Sequence, residues 1–545
     1  MEDNKLLSTA NENLLREIRK NKELFRIEPL KIYPWWFWPC TVRALLVTDG
    51  GLDFGTGDFG LSTFVSILQN DGRGYVRFEL TLAHRSAFAS DAQVQAGVAG
   101  IKRSIKGFKF DDTNHFSSNM YDEVFLFGIN SGSSLPNSEL IAISQFMNGG
   151  GGVFATGDHG SLGNELCGNI TRVRSMRNWN NSAGNVGMSD AARNDTNRPG
   201  HDAGSQFDDQ SDDVPQPIQP KLYSSRWGAF WKETYPHPLL CSPNGRIMVL
   251  PDHPHEGECI EPSDISQTYL DGSPEYPMGI RPEVIAFSTV LAGSNAGGSK
   301  TATNAQRFGA ISAYDGHRAD IGRVVTDATW HHFVNVNLVG ELGIPDSEIK
   351  GLGFLATAAG QAHFDQIKHY YINIGVWIAR KTNHACFRKR TIWDLVYNHR
   401  VLEATMMEPN LRFDKIHASL IYAIGTHATD VLGKRASHCR KIQFILDIIR
   451  YPLPELIPTI DPWFPQPEEI HDPVVPWLDL NPLFAIAIGS GLLAVREEIG
   501  ANLEKMDEKI ADRMEKVFYE GVKRGVEIAN DSFQRSFKNI SRFIK

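Results

Sequence analysis

A series of short apolar runs, several closed by a glycine, an acid or an imidazole, sets what this chain can fold into. Val42–Thr48 runs into Asp49-Gly50-Gly51, and Glu123–Phe127 into Gly128-Ile129-Asn130. The run 152–155 meets Thr156-Gly157-Asp158-His159, and 322–326 meets Asp327. Between them, Phe59–Gln69 and Ser138–Met147 carry apolar residues at three- and four-residue spacing, and Tyr75–Leu82 alternates. Strands alternating with helices predict parallel βαβ units. Further strand-like runs fall at 246–250, 284–290 and 308–313.

The expected fold class is therefore α/β. It is a mostly parallel sheet flanked by helices, followed by an α-helical region and a long C-terminal helix. The expected division is linear. Residues 1–41 hold a helix and the aromatic cluster Pro34–Pro39, read either as a plug on the next domain or as an anchor for a partner or a membrane surface. Residues 42–340 form the α/β domain, with an irregular insertion at about 160–240. Residues 341–451 form a helical domain. Nine prolines make 452–482 a linker or strap. In 483–545 small and apolar residues repeat in steps of 4, 4 and 3, an 11-residue period that suits a nearly straight helix. That helix either packs on its own chain or serves homo-oligomerisation or a protein partner. Gly521 and Gly525 would allow a close backbone approach.

Composition narrows the function classes. Charged residues are 22% and hydrophobic residues 41% of 545, ordinary globular usage. A net charge of −9 gives no strong nucleic-acid signal. The longest uncharged run, 480–495 once Asp479 is passed, is short for a membrane span. Met1–Arg26 has no apolar core of a signal peptide, and the six cysteines form no CxxC pair. Together these predict reduced thiols and a cytoplasmic location.

In open parallel sheets ligands bind where strands end. Asp49, Asp158, His159, Asp327, His331 and His332 all follow strand-like runs, as does Asp252-His253-Pro254-His255-Glu256. The expected catalytic set is Asp158, His159, Asp252, His255, Asp327 and His331. The expected metal set is Asp49, Asp252, His253, His255, His331 and His332, holding a divalent ion such as Zn, Mn or Fe that would activate water. The chemistry implied is hydrolysis of a small-molecule or anionic substrate. The alternative is that these histidines bond to backbone and cap loops, leaving a non-catalytic assembly protein. Arg172, Arg174, Arg177, Arg193 and Arg198 either clamp an anion or pair with Asp208–Asp213.

Four segments carry a resemblance: YDEVFLFG (121–128), MNGGGGVFATGDHGSLG (147–163), HPLL (237–240) and GRVVTDATWHHF (322–333). Together they resemble the class I glutamine amidotransferase-like superfamily, closest to its ThuA-like (trehalose-utilisation) branch. The resemblance covers about 300 of 545 residues. It implies a flavodoxin-like sheet and a His at the end of the closing strand. It also implies a nucleophilic Cys after the run 152–155, where this chain has Thr156-Gly157-Asp158. Amidotransferase chemistry is accordingly not expected.

Overall fold

The computed structural model describes residues 39–70, 76–158, 160–179, 215–224, 233–251, 257–290, 306–340, 353–396, 398, 401, 416–436, 438–464, 480–499 and 508–543. The N-terminal helix and Trp cluster, His159, the loop 252–256, Asp208–Asp213, Arg193, Arg198 and residues 465–479 of the Pro-rich stretch lie outside them.

The strands in chain order are β1 Cys40–Thr48, β2 Val76–His84, β3 Arg103–Lys106, β4 Glu123–Phe127, β5 Gly152–Thr156 and β6 Pro215–Pro220. Short ribbons follow: β7 Leu222–Ser224 with β8 Thr234–Pro236, and β9 Cys241–Ser242 with β10 Gly245–Arg246. Then come β11 Val249–Pro251, β12 Glu283–Val290, β13 Gln306–Tyr314 and β14 Val324–Asp327. Among the described residues ten strands make one sheet, ordered β11-β6-β12-β13-β14-β5-β4-β1-β2-β3. The stretch from β14 to β3 is parallel throughout. From β13 outward the added strands are antiparallel.

Alternation along the central strands explains the layering. Leu46, Phe125 and Phe154 face one cluster, which also takes Phe64 of α1 (Ser62–Asn70) and Phe364, Ile367 and Ile374 of α3 (Ala358–Ile378). Leu45, Val124 and Val153 face the other, with Ile143 and Met147 of α2 (Asn137–Asn148). Each such fully buried side chain contributes roughly 1.5–3 kcal/mol over its exposed state.

The described residues form two compact units, and these do not follow the linear borders expected. One comprises 39–389 with 432–480, the other 390–431 with 481–545. The borders fall inside α4 (Lys381–Val396) and α5 (Ala418–Ala436). The region 341–451 is therefore not a separate helical domain: α3 is a layer of the sheet unit because its apolar side chains cover the strands. Cys40 and Cys386 within that unit are joined by a disulfide, whereas Cys167, Cys241 and Cys259 are free and buried. The expectation of reduced thiols thus fails for the bonded pair, whose two cysteines lie far apart in the sequence.

In the other unit the tail is two helices, α7 (Asn481–Ile499) and α8 (Glu508–Phe543). They run antiparallel, since Gly491 meets Phe518, Gly521 meets Ser490, and Gly525 meets Ile486. A Cβ on Gly521 would lie 2.7 Å from the Ser490 carbonyl oxygen, so only glycine allows this approach. The small residues of the 11-residue pattern serve packing of the chain on itself at these positions.

Candidate functional site

Register puts the ends of the parallel strands side by side. Thr48 pairs with both His84 and Phe127, Phe127 with Thr156, and Thr156 with Asp327. Asp49, His84, Asp158 and Asp327 therefore share one rim of the sheet, at the carboxyl ends of β1, β2, β5 and β14. Strand direction alone brings these distant residues together.

After β14 the chain turns through Thr329 into a short helical turn, Trp330–His332. The Thr329 hydroxyl accepts from the His331 N–H (3.0 Å) and donates to Asp158 Oδ1 (3.0 Å). His332 Nδ1 lies 2.6 Å from Asp327 Oδ1, and Tyr370 of α3 donates to Asp327 Oδ2 at 2.6 Å. The Tyr371 hydroxyl donates to the His332 carbonyl. His331 stacks on Trp330, its Nδ1 2.9 Å from Asn337 Oδ1 and its Nε2 3.7 Å from Asp158 Oδ2. The His331–Asp158 contact becomes an ion pair when the imidazole is protonated.

Arg177 ties the two loops. Its buried guanidinium donates to the carbonyls of Asp158 (2.7 Å), Ala328 (2.7 Å), Asp327 (3.2 Å) and Asn178 (3.0 Å), and stacks on Trp179. Burial lowers its pKa. Arg174 pairs with Glu275 (2.8 Å), and the backbone N–H of Arg172 donates to the same carboxylate. Arg174 and Arg177 are thus engaged by protein groups, whereas Nε and Nη1 of the buried Arg172 guanidinium have no hydrogen-bond partner.

At β1 the arrangement differs. Asp49 is 1% exposed. Its Oδ1 accepts from the backbone N–H of Ile129 (2.6 Å) and Asn130 (3.2 Å), while Oδ2 is buried with no hydrogen-bond partner. Burial pushes its pKa up to about 6, against the pull of the two backbone N–H groups. Gly50, at φ +53°, turns the chain directly after it, and a Cβ there would lie 2.4 Å from Asn130 Oδ1. On β2, His84 Nδ1 accepts from the Ser86 N–H (2.9 Å) and Nε2 is buried without a partner. Burial lowers its pKa, with the Gly50 backbone and the Asp53 charge opposing.

Of the expected residues, Asp49, Asp158, Asp327, His331 and His332 thus meet at one rim. His159, Asp252, His253 and His255 lie outside the described residues. Among the described residues no group of three or more His, Cys, Asp or Glu is arranged to hold a metal ion. Both rim imidazoles of the turn have Nδ1 against a protein oxygen, Asn337 Oδ1 for His331 and Asp327 Oδ1 for His332. Thr156 is fully buried, its hydroxyl on the Gly157 carbonyl, and offers no nucleophile. The nearby Cys167 thiol is pushed well up by burial. His84 escaped the sequence reading because the strand was ended at Leu82; two residues further on, the rule used for Asp327 would have found it.

No protein-family model matches the chain, and no curated protein does. Among solved structures, a ThuA-like protein from Parabacteroides merdae ATCC 43184 is 12% identical, with 61% of this chain and 90% of that one covered. Its TM-score is 0.23, too low to bear on fold or function, so both are read from the topology and the rim.

Proposed function

We propose that the chain is a hydrolase whose proton transfers run through the carboxyl rim of the parallel strands, with Asp49 as the general base. One observation carries this: a buried carboxyl, held by two backbone N–H groups, with a second oxygen left unpartnered and a pKa of about 6. A base is most effective when it titrates near the working pH. An enclosed polar oxygen of this kind is the natural partner of a single water. Asp49 would take a proton from that water as it attacks a carbonyl or phosphoryl centre admitted past the Gly50 turn. The Asp158–His331 and Asp327–His332 pairs hold the neighbouring loops and keep protons available beside it. A divalent metal held by Asp252, His253 and His255 would add Lewis acidity if those side chains reach the rim.

The test is a panel of p-nitrophenyl esters and phosphomonoesters assayed from pH 5 to 9. Activity should rise through an acidic limb near pH 6, and Asp49→Asn should cost ~100-fold or more in kcat/KM. An Asp49→Asn protein with the same rate and the same limb would end this reading.

A second reading, a non-catalytic assembly protein, has its own observation. In the last turns of α8, Phe537 and Ile540 are 55% and 54% exposed, one turn beyond half-buried Phe533. Light scattering of the full chain against a Phe537→Ser/Ile540→Ser variant decides it. A monomeric mass for both excludes assembly through this stripe.

A further inference from the structure

A cleft in the sheet unit opens at the other end of β14. Arg323 immediately precedes that strand, four residues from Asp327, which is ~13 Å along an extended chain. The floor comes from β12 and β13, at Glu283, Ile285, Ala313 and Asp315, and from Trp377 near the end of α3. The far wall is α6 (His438–Arg450) and the residues after it, with Asp447, Arg450, Asp461 and Trp463. Arg281 and Arg318 line it as well.

Charge pairing inside the cleft is uneven. Glu283 is taken by Lys221 (2.8 Å), Asp315 by Arg323 (2.7 Å), and Asp461 and Asp447 by Arg450 (2.7 and 3.7 Å). Every lining carboxylate thus has a cation. Arg281 and Arg318 are left without a carboxylate within 4 Å among the described residues. The Arg318 guanidinium stacks over Phe464, 4.7 Å from the ring centroid. Stacking fixes its plane and leaves the in-plane N–H donors unused. Burial raises the Asp315 carboxyl, yet Arg323, Arg450 and Arg318 together bring it below its ordinary value.

We propose that this cleft binds a small anionic molecule, its phosphate or carboxylate group gripped by Arg318 and Arg281. The stacked, unspent guanidinium of Arg318 matches the paired oxygens of either group, and the exposed Arg281 adds a second cation. Lysine-free, aromatic-backed walls with satisfied acids leave only these two cations to be neutralised. The site is separate from the carboxyl rim, and the proposal does not depend on the hydrolase reading.

Isothermal titration of the full chain with inorganic phosphate, phenyl phosphate and succinate tests it and distinguishes phosphate from carboxylate ligands. At least one should bind saturably, with Arg318→Gln and Arg281→Gln each weakening it about tenfold and the double variant ~100-fold. Arg318→Lys should restore less than half of the lost affinity, since an ammonium lacks the fork. The Asp49→Asn protein should bind as wild type does. Thermal melts in plain buffer identify variants that fold normally. No saturable binding of any of the three by wild type, or an unchanged Kd in a folded double variant, would overturn the proposal.

Discussion

The two ends of the parallel strands solve the burial of charge in opposite ways. At the carboxyl rim, Asp158 and Asp327 are met by imidazoles, hydroxyls and a tyrosine, and the buried cation Arg177 is spent on main-chain carbonyls. At the amino end of β14 each acid has a cation, and two guanidiniums remain. The rim is accordingly equipped to move protons, and the cleft to hold negative charge. Two buried carboxyls show the same contrast on a smaller scale. Asp49 keeps two backbone N–H donors and a pKa of about 6. Glu123, at the start of β4, has both oxygens buried without partners, and burial raises its pKa well above the ordinary range.

The largest expected effect tests whether Arg177 holds the rim together. Arg177→Met leaves four carbonyls short of a donor and should destabilise the sheet unit by about 3–5 kcal/mol in urea unfolding. A loss below ~1 kcal/mol would show that the loops hold without it. Next comes the proton at Asp49. Its folded pKa is raised, so its contribution to stability is complete below the unfolded value and is lost as pH rises through about 6. Asp49→Asn should remove that dependence and raise stability at pH 8 by up to ~3 kcal/mol, with little change at pH 4. A variant less stable than wild type at pH 8 would mean the ionised carboxylate is structurally needed, and the contrast with Glu123 would collapse.

Tyr370→Phe should cost about 1–2 kcal/mol, since Asp327 Oδ2 then loses its donor in a site without solvent. No loss would show that the carboxylate finds another partner. The smallest effect is expected at Glu123. Burial raises its pKa well above the ordinary carboxylate range, so Glu123→Gln should change stability by less than ~0.5 kcal/mol near neutral pH. A large loss would reveal a partner for an ionised Glu123.

Much of the sheet was legible because fully buried parallel strands write themselves as unbroken apolar runs: β4 matches the run 123–127 residue for residue. The residues at the strand ends were legible for the same reason, since the end of a run marks the rim. What the side chains do there was not. The Asp327 carboxylate is held by His332 and by Tyr370, 43 residues on, and no local pattern shows that. The cleft left no trace in the sequence, because its walls are assembled from residues between 223 and 463. In the tail, Gly521 and Gly525 did announce a close approach, and the partner at those positions is α7 of the same chain.

The bond between Cys40 and Cys386 encloses most of the sheet unit in a covalent ring, the two cysteines being 346 residues apart. A protease that nicks any loop between them opens the ring without releasing a fragment. Such a clipped molecule keeps its full mass on a non-reducing gel and falls into two pieces once a thiol reductant is added.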